Sequence, residues 1–305
     1  NWFDPGLARA DKRVYCAEDE TDPESTSAMP VASANHLRVP TLGERMKAAW
    51  PASRNIAVSG KDRAVMMMGG HRIDEGYWWQ GKGFVTLKGR LLPAVLDIAA
   101  KLAANRKLGK GATPDLLSVS LSATDYVGHA YGNQGLEMCI QLAQLDTALE
   151  GFFRKLDGLG VDYAVVLTAD HGGLDVPERV AEQGYPAALR ADPALTPATL
   201  GKAIARQLNL AAFLPGADGK AATLVYGDGP FGDYYLARNI SPETRTRVVA
   251  ALVDLLRAHP QVALALTREE LAKIPVPSGS PQDWSLRERA RASFDPERSG
   301  DVVSF

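Results

Sequence analysis

The sequence predicts an α/β fold with a mostly parallel central sheet, joined late in the chain by a small α+β insertion. Three observations support this. A β-prone stretch at 115–122, a helical pattern at 136–156 and an apolar run at 161–168 follow one another in the order of a parallel βαβ unit, which is nearly always right-handed. Motifs rich in Asp and His follow directly on both strands of that unit. Beyond residue 186 the texture changes to short strands around one long helix, between proline-rich loops at 186–197 and 275–281.

From the start of the chain, residues 41–50 read as a helix and 55–59 as a short strand. Met66-Met67-Met68-Gly69-Gly70 leads into Tyr77-Trp78-Trp79, expected as core or pocket wall. Residues 91–107 read as a helix. The strand at 115–122 follows the turn signal Gly111-Ala112-Thr113-Pro114, and a glycine-rich loop comes after it. In the next helix Leu145, Leu149, Phe152 and Leu156 recur at spacings of four, three and four, which marks one face. Gly158 and Gly160 stop it, and 161–168 (VDYAVVLT) reads as a fully buried strand. Downstream, 223–226, 233–237, 242–258 and 262–266 read as strand, strand, helix, strand, and 301–305 as a strand cut off in progress. The expected organisation is an α/β core over 1–185, incomplete at its N-terminus, an α+β insertion over 186–284, and a truncated return to the core over 285–305.

The 305 residues suffice for one large domain or a domain with an insertion. With 46% hydrophobic and 23% charged residues, the balance is that of a globular chain. Lys and Arg number 34 against 36 Asp and Glu, a net charge of −2, which argues against nucleic acid as a specific partner. Any attraction for phosphate must then be local. No apolar run approaches the roughly 20 residues that span a bilayer, so no membrane span is expected. The first residue is Asn1 rather than an initiator Met, and both ends are expected to be truncations. Cys16 and Cys139 are too few for a disulfide framework; they pair or both stay reduced.

Two segments bear chemistry: Ser122-Ala123-Thr124-Asp125-Tyr126-Val127-Gly128-His129 and Thr168-Ala169-Asp170-His171-Gly172-Gly173. Each follows the carboxyl end of an expected parallel strand, where open α/β sheets bind ligands. Asp125, His129, Asp170 and His171 can therefore converge. Carboxylate with imidazole is a zinc-type donor set, and two metal ions can clamp both the attacking and the leaving oxygens of a phosphoryl displacement. Two Asp and two His are fewer ligands than two ions need. Gly128 and Gly172, beside the histidines, are expected to turn the backbone sharply enough to aim the rings inward. A lone Asp or His in a loop is ordinarily a surface or turn residue; it is the pairing of two motifs, one helix apart, that favours metal.

Val58-Ser59-Gly60-Lys61-Asp62-Arg63 also follows a strand. Two residues apart in extended backbone, Lys61 and Arg63 can point the same way and grip the non-bridging oxygens of a phosphoryl group. Without the metal motifs, a solvated charged turn is the simpler reading. His36, His71 and His259 have no partner motif and read as structural. Asp4, Asp19 and Asp146 read as surface or capping residues, and Cys139 as packing.

Taken together, Lys61-Asp62-Arg63, Asp125 to His129 and Asp170-His171-Gly172 resemble the type I phosphodiesterase/nucleotide pyrophosphatase group of the alkaline phosphatase superfamily. Within it the chain is most similar to bacterial alkaline phosphatases with a Thr nucleophile, and the similarity runs essentially from Asn1 to Phe305. The resemblance implies an alkaline phosphatase-like three-layer sandwich and two Zn2+ ions, with room for an additional Mg2+ or Ca2+. It implies Asp125 and His129 on one zinc, Asp170 and His171 on the other, and Lys61 and Arg63 on the phosphoryl group of small phosphate esters. It also implies export to the periplasm or the medium. The family's nucleophile motif has no match before Lys61, and its C-terminal His-Gly-Ser has none anywhere. The nucleophilic Thr and two metal ligands are therefore expected outside this chain; Thr86, after the Lys-Arg pair, does not replace the nucleophile.

The implied activity is metal-dependent hydrolysis of phosphate monoesters through a phosphoenzyme, because two cations suit a dianionic monoester better than a diester. The alternatives are a phosphodiesterase or nucleotide pyrophosphatase, and a catalytically incomplete metal-binding fragment. A sulfatase needs Cys-x-Pro-x-Arg; Cys16 is followed by Ala17-Glu18-Asp19-Glu20 and Cys139 by Ile140-Gln141-Leu142-Ala143, and neither fits.

Overall fold

The computed structural model describes residues 1–80, 84–86, 95–215 and 221–305. The chain forms two compact units: one is Cys16–Leu189, and the other combines Asn1–Tyr15 with Arg190–Phe305.

The Cys16–Leu189 unit is built on a four-stranded sheet. Asn55–Ser59 lies inside it, parallel to Glu75–Trp79 on one side and to Leu116–Ser120 on the other; Phe84–Thr86 adds an antiparallel edge. The inner strand is covered on both faces, so it reads as a nearly continuous apolar run. Ile56, Ala57 and Val58 are all 0% exposed. Val95–Asn105 and the 22-residue helix Leu136–Asp157 pack on the sheet, with Ile98, Leu102 and Phe152 against Ile56 and Val58. The face expected from the spacing of Leu145, Leu149, Phe152 and Leu156 is the shielded one. Residues 91–94 of the expected helix at 91–107 lie outside the described residues.

Polar contacts anchor the loops below the sheet. Thr41 caps the Leu42–Ala49 helix, accepting from Glu44 N–H, and the Glu44 carboxylate accepts Thr41 N–H at 2.7 Å and His71 N–H at 3.0 Å. Burial alone would raise the Glu44 pKa, but these bonds hold it below its usual value. His71 is thus part of a structural bracket.

The expected strand at 161–168 does not form. Residues 160–169 join no ladder, and Val165, Val166 and Leu167 are 57%, 89% and 82% exposed. An apolar strand is stable only when its backbone is paired and its faces are covered. Here the segment has neither, and the expected βαβ unit is left with one strand. Cys139 is exposed and its thiol is free, so it is neither packing nor joined to Cys16.

In the second unit an antiparallel sheet runs in the order Val225–Tyr226, Gly232–Leu236, Val302–Ser304, Ala265–Thr267. The helix Pro242–Ala258 starts at a Ser241 cap with Pro at its first position, and it buries Val248, Leu252 and Leu256 at 0% exposure. These meet Ile204 of the Pro197–Gln207 helix and Tyr234, Leu236 and Val302 of the sheet. The α+β texture and its element order match the expectation. The segment 285–305, expected to return to the α/β core, instead supplies an inner strand of this sheet, because Val302–Ser304 pairs on both edges. Trp2–Phe3 and Arg13–Val14 form a small ribbon in the same unit, with Phe3 against Tyr226 and Tyr235. Asp4 accepts from Gly6 N–H and pairs with Arg238, as a turn residue does.

Unpaired apolar backbone is a template for self-association. We expect the 305-residue chain to bind a hydrophobic dye and to gain mass with concentration in light scattering. Val166→Lys should reduce both while leaving the circular dichroism spectrum unchanged. Equal behaviour of the two proteins would show that this segment is covered in solution.

Candidate metal and phosphate site

Two adjacent parallel strands end level, with Ser59 opposite Ser120. After Ser59 the chain turns at Gly60, and Lys61 caps the Asp62–Gly69 helix in extended conformation, its N–H donating to Ser59 Oγ at 3.0 Å. Arg63 therefore lies in the first helical turn, exposed, so the extended-backbone argument for pairing it with Lys61 does not hold. After Ser120, residues 123–131 form a helix rather than the expected glycine-rich loop. On this helix Asp125 and His129 are four residues apart and share a face. Gly128 lies inside it and makes no sharp turn; a Cβ there would come within 2.9 Å of Asn133 Oδ1. The helix stops at Gly132, whose φ of +77° suits glycine.

Asp125 is the centre of the cluster. Its Oδ2 accepts from Lys61 Nζ at 2.6 Å. Its Oδ1 lies 3.4 Å from His129 Nε2 and 3.5 Å from His171 Nε2. His171 Nε2 is also 3.7 Å from Asp170 Oδ2, and its Nδ1 donates to the Gly172 carbonyl at 2.7 Å. Asp125, His129, Asp170, His171 and Lys61 are thus brought together, although of the two Asp-His motifs only that of Asp125 follows a paired strand. The shielding is uneven: the Asp125 side chain is 21% exposed, whereas His129, His171 and Asp170 are 77%, 60% and 89% exposed.

The electrostatics follow from this geometry. The Lys61 hydrogen bond holds the Asp125 carboxyl below its usual pKa, against the opposing effect of burial and with help from His129 and His171. The Gly172 carbonyl, followed by Asp170 and Asp125, raises the His171 pKa. Carboxylate and imidazole are the donors zinc prefers, and the 3.4 Å separation of Asp125 Oδ1 from His129 Nε2 is close to the roughly 3.3–3.4 Å edge of a zinc tetrahedron. The donor chemistry fits zinc. The enclosure is not complete, since among the described residues no three His, Cys, Asp or Glu groups are disposed to hold an ion.

The remaining histidines bind within the scaffold: His36 Nε2 meets Glu20 at 2.7 Å, and His259 Nε2 meets Asp192 at 3.3 Å. Asp19 accepts from Thr21 as a turn former. Sequence reasoning missed two neighbours of the site. Tyr126 lies under Lys61, with Nζ 4.7 Å from the ring centroid, a cation–π contact that no periodic pattern marks. Asp175 was also missed, although an Asp two residues before Pro177 and four before Arg179 marks a helix start.

Lys61→Met removes the main cause of the low Asp125 pKa, so the carboxyl midpoint in metal-free protein should move up in 13C NMR. A depressed folded pKa gives stability that is present above the unfolded value near 3.8 and is lost as pH falls through the folded one. This acid-sensitive part should shrink in Lys61→Met. An unmoved midpoint would mean that Lys61 does not hold Asp125 in solution.

The sequence profile of the type I phosphodiesterase / nucleotide pyrophosphatase family matches residues 7–304. Alkaline phosphatase PhoK of a Sphingomonas species is 42% identical over 368 residues, covering 99% of this chain and 64% of its own length. Alkaline phosphatase PhoD of Zymomonas mobilis is 40% identical over 372 residues, covering 99% and 62%. The chain thus spans under two thirds of the length of these relatives. The crystal structure of alkaline phosphatase PafA aligns with 100% of this chain and 71% of its own, at a TM-score of 0.69 and 20% identity, a likeness of fold. Profile and relatives agree: the chain belongs to the type I phosphodiesterase / nucleotide pyrophosphatase family of the alkaline phosphatase superfamily.

Proposed function

We propose that the protein to which this chain belongs is an exported, zinc-dependent phosphate monoester hydrolase that works through a phosphoenzyme. The observation supporting this is the meeting of Lys61, Asp125, His129 and His171 at the ends of two parallel strands. Asp125 with His129, and Asp170 with His171, would hold the two ions. Bound zinc supplies Lewis acidity toward phosphoryl and leaving-group oxygens. Lys61 keeps Asp125 ionised and so ready to act as a donor, while Lys61 and Arg63 bring positive charge to the non-bridging oxygens of the ester. No segment before Lys61 matches the family's nucleophile motif and no His-Gly-Ser occurs; both would lie in polypeptide outside these 305 residues, in keeping with relatives of which this chain covers 64% and 62%.

A second reading is a metal-binding piece without turnover. It is favoured by the lack of any match to the family's nucleophile motif before Lys61. Under both readings the 305-residue chain should take up zinc by mass spectrometry yet have negligible phosphatase activity. EDTA-sensitive turnover by this chain alone would remove the second reading and the external nucleophile together.

For the whole protein, p-nitrophenyl phosphate should be cleaved in preference to its bis-ester; a strong diester preference would make it a phosphodiesterase. Arg63→Ala should lower kcat/KM on the monoester by about 10- to 100-fold, the worth of one charge-assisted hydrogen bond. An unchanged value would take Arg63 out of the phosphate site.

A further inference from the structure

Beyond the ligands themselves, a buried carboxylate ties the two motifs together. Asp175 Oδ1 accepts the Asn133 N–H at 2.9 Å and Arg179 Nη1 at 2.5 Å. Arg179 Nη2 reaches the Tyr131 carbonyl at 3.1 Å, and Asn133 Nδ2 reaches the Leu174 carbonyl at 3.3 Å. Each bond but the Asp175–Arg179 pair runs between the 131–133 end of the Asp125/His129 helix and the 174–179 stretch that follows Asp170 and His171. The fit is close. At Gly132, a Cβ would stand 1.9 Å from Asp175 Oδ1 and 2.8 Å from Arg179 Nη1, and at Gly173 it would stand 2.5 Å from Asn133 Nδ2.

The Asp175 side chain is 2% exposed in a stretch whose neighbours Leu174, Gly173 and Gly172 are exposed. Its second oxygen is buried without a hydrogen-bond partner among the described residues. A buried, half-satisfied carboxylate is a poor way to gain stability, since the orphan oxygen loses its water and gets nothing back. It does fix geometry, because a charged acceptor shared by a backbone N–H and a guanidinium has little freedom. Four residues upstream, His171 has no burial to hold it and reaches Asp125 at 3.5 Å.

We infer that Asp175 is a positioning residue: with Arg179 and Asn133 it braces the Asp170–His171 segment against the helix of Asp125 and His129, and so sets the spacing of the two ligand pairs. The inference rests on the metal-site reading above, and its test separates the two. Hydrogen–deuterium exchange and a zinc titration against a chromophoric chelator are run on the 305-residue chain and on Asp175→Ala, Asp175→Asn and Gly132→Ala.

In Asp175→Ala and Gly132→Ala, amides at 131–134 and 170–176 should exchange faster while the 55–59 and 116–120 strands keep their protection. Zinc affinity should fall about 10- to 100-fold, as when an outer partner of a ligand is removed. Asp175→Asn keeps an acceptor at Oδ1 and should recover most of both. The inference is overturned if exchange in the two segments is unchanged in Asp175→Ala, if it rises with no loss of zinc affinity, or if protection falls throughout 16–189 and Asn does not rescue it. Should the wild-type chain bind no zinc, the metal reading falls, and exchange confined to the two segments or not decides for or against the brace.

Discussion

Parallel pairing of Asn55–Ser59 with Leu116–Ser120 is the constraint from which the site follows. A parallel ladder sends both chains out at the same edge, and with Ser59 opposite Ser120 the two exits are level. The first residues beyond each strand are then neighbours whatever their separation in sequence. Lys61 and Asp125, 64 residues apart, meet at 2.6 Å for this reason. The ladder is itself secured by burial, because the inner strand is covered on both faces and a one-residue slip would disturb every side chain in it.

Within that frame one carboxylate does most of the organising. Asp125 offers two oxygens, one turned to an ammonium and the other to two imidazoles. A carboxylate beside several cationic or potentially cationic groups stays ionised, and an ionised carboxylate next to imidazole nitrogens has the donor chemistry that zinc prefers. The ammonium matters because it keeps the carboxylate charged. Tyr126 adds an aromatic face to the same ammonium, so Lys61 is oriented by its neighbours as well as attracted.

Much of this was legible in the sequence, and what was not has physical causes. The helices at 136–157 and 242–258 were readable because their apolar positions repeat at helical spacing and their caps are Gly, Ser and Pro. The paired motifs were readable because each follows a short β-prone run. The 123–131 helix was not: Gly128 and Gly132 look like loop residues, yet Gly128 sits inside the helix and only Gly132 ends it. Nor was the destination of 301–305, since a strand's partners are tertiary and no local pattern names them. The contact of Asp175 with Asn133 was hidden for the same reason: the two are 42 residues apart.

The error at 161–168 and the openness of the site have one origin. This segment is tied near both ends to the neighbourhood of Leu116–Ser120. Lys110 Nζ donates to the Leu159 and Gly160 carbonyls at 2.8 and 3.0 Å before it, and His171 meets Asp125 beyond it. Side chains make these ties, and among the described residues no backbone ladder joins the two stretches. Apolar residues that a ladder would bury stay in water, and the Asp170–His171 pair at the end of the same segment stays in water with them. A ligand pair is only as well placed as the backbone that bears it. Asp125, next to a paired strand, is shielded and charged by design of the sheet; His171, at the end of an unpaired one, depends on side-chain ties for its place, and the most buried of those lies at Asp175.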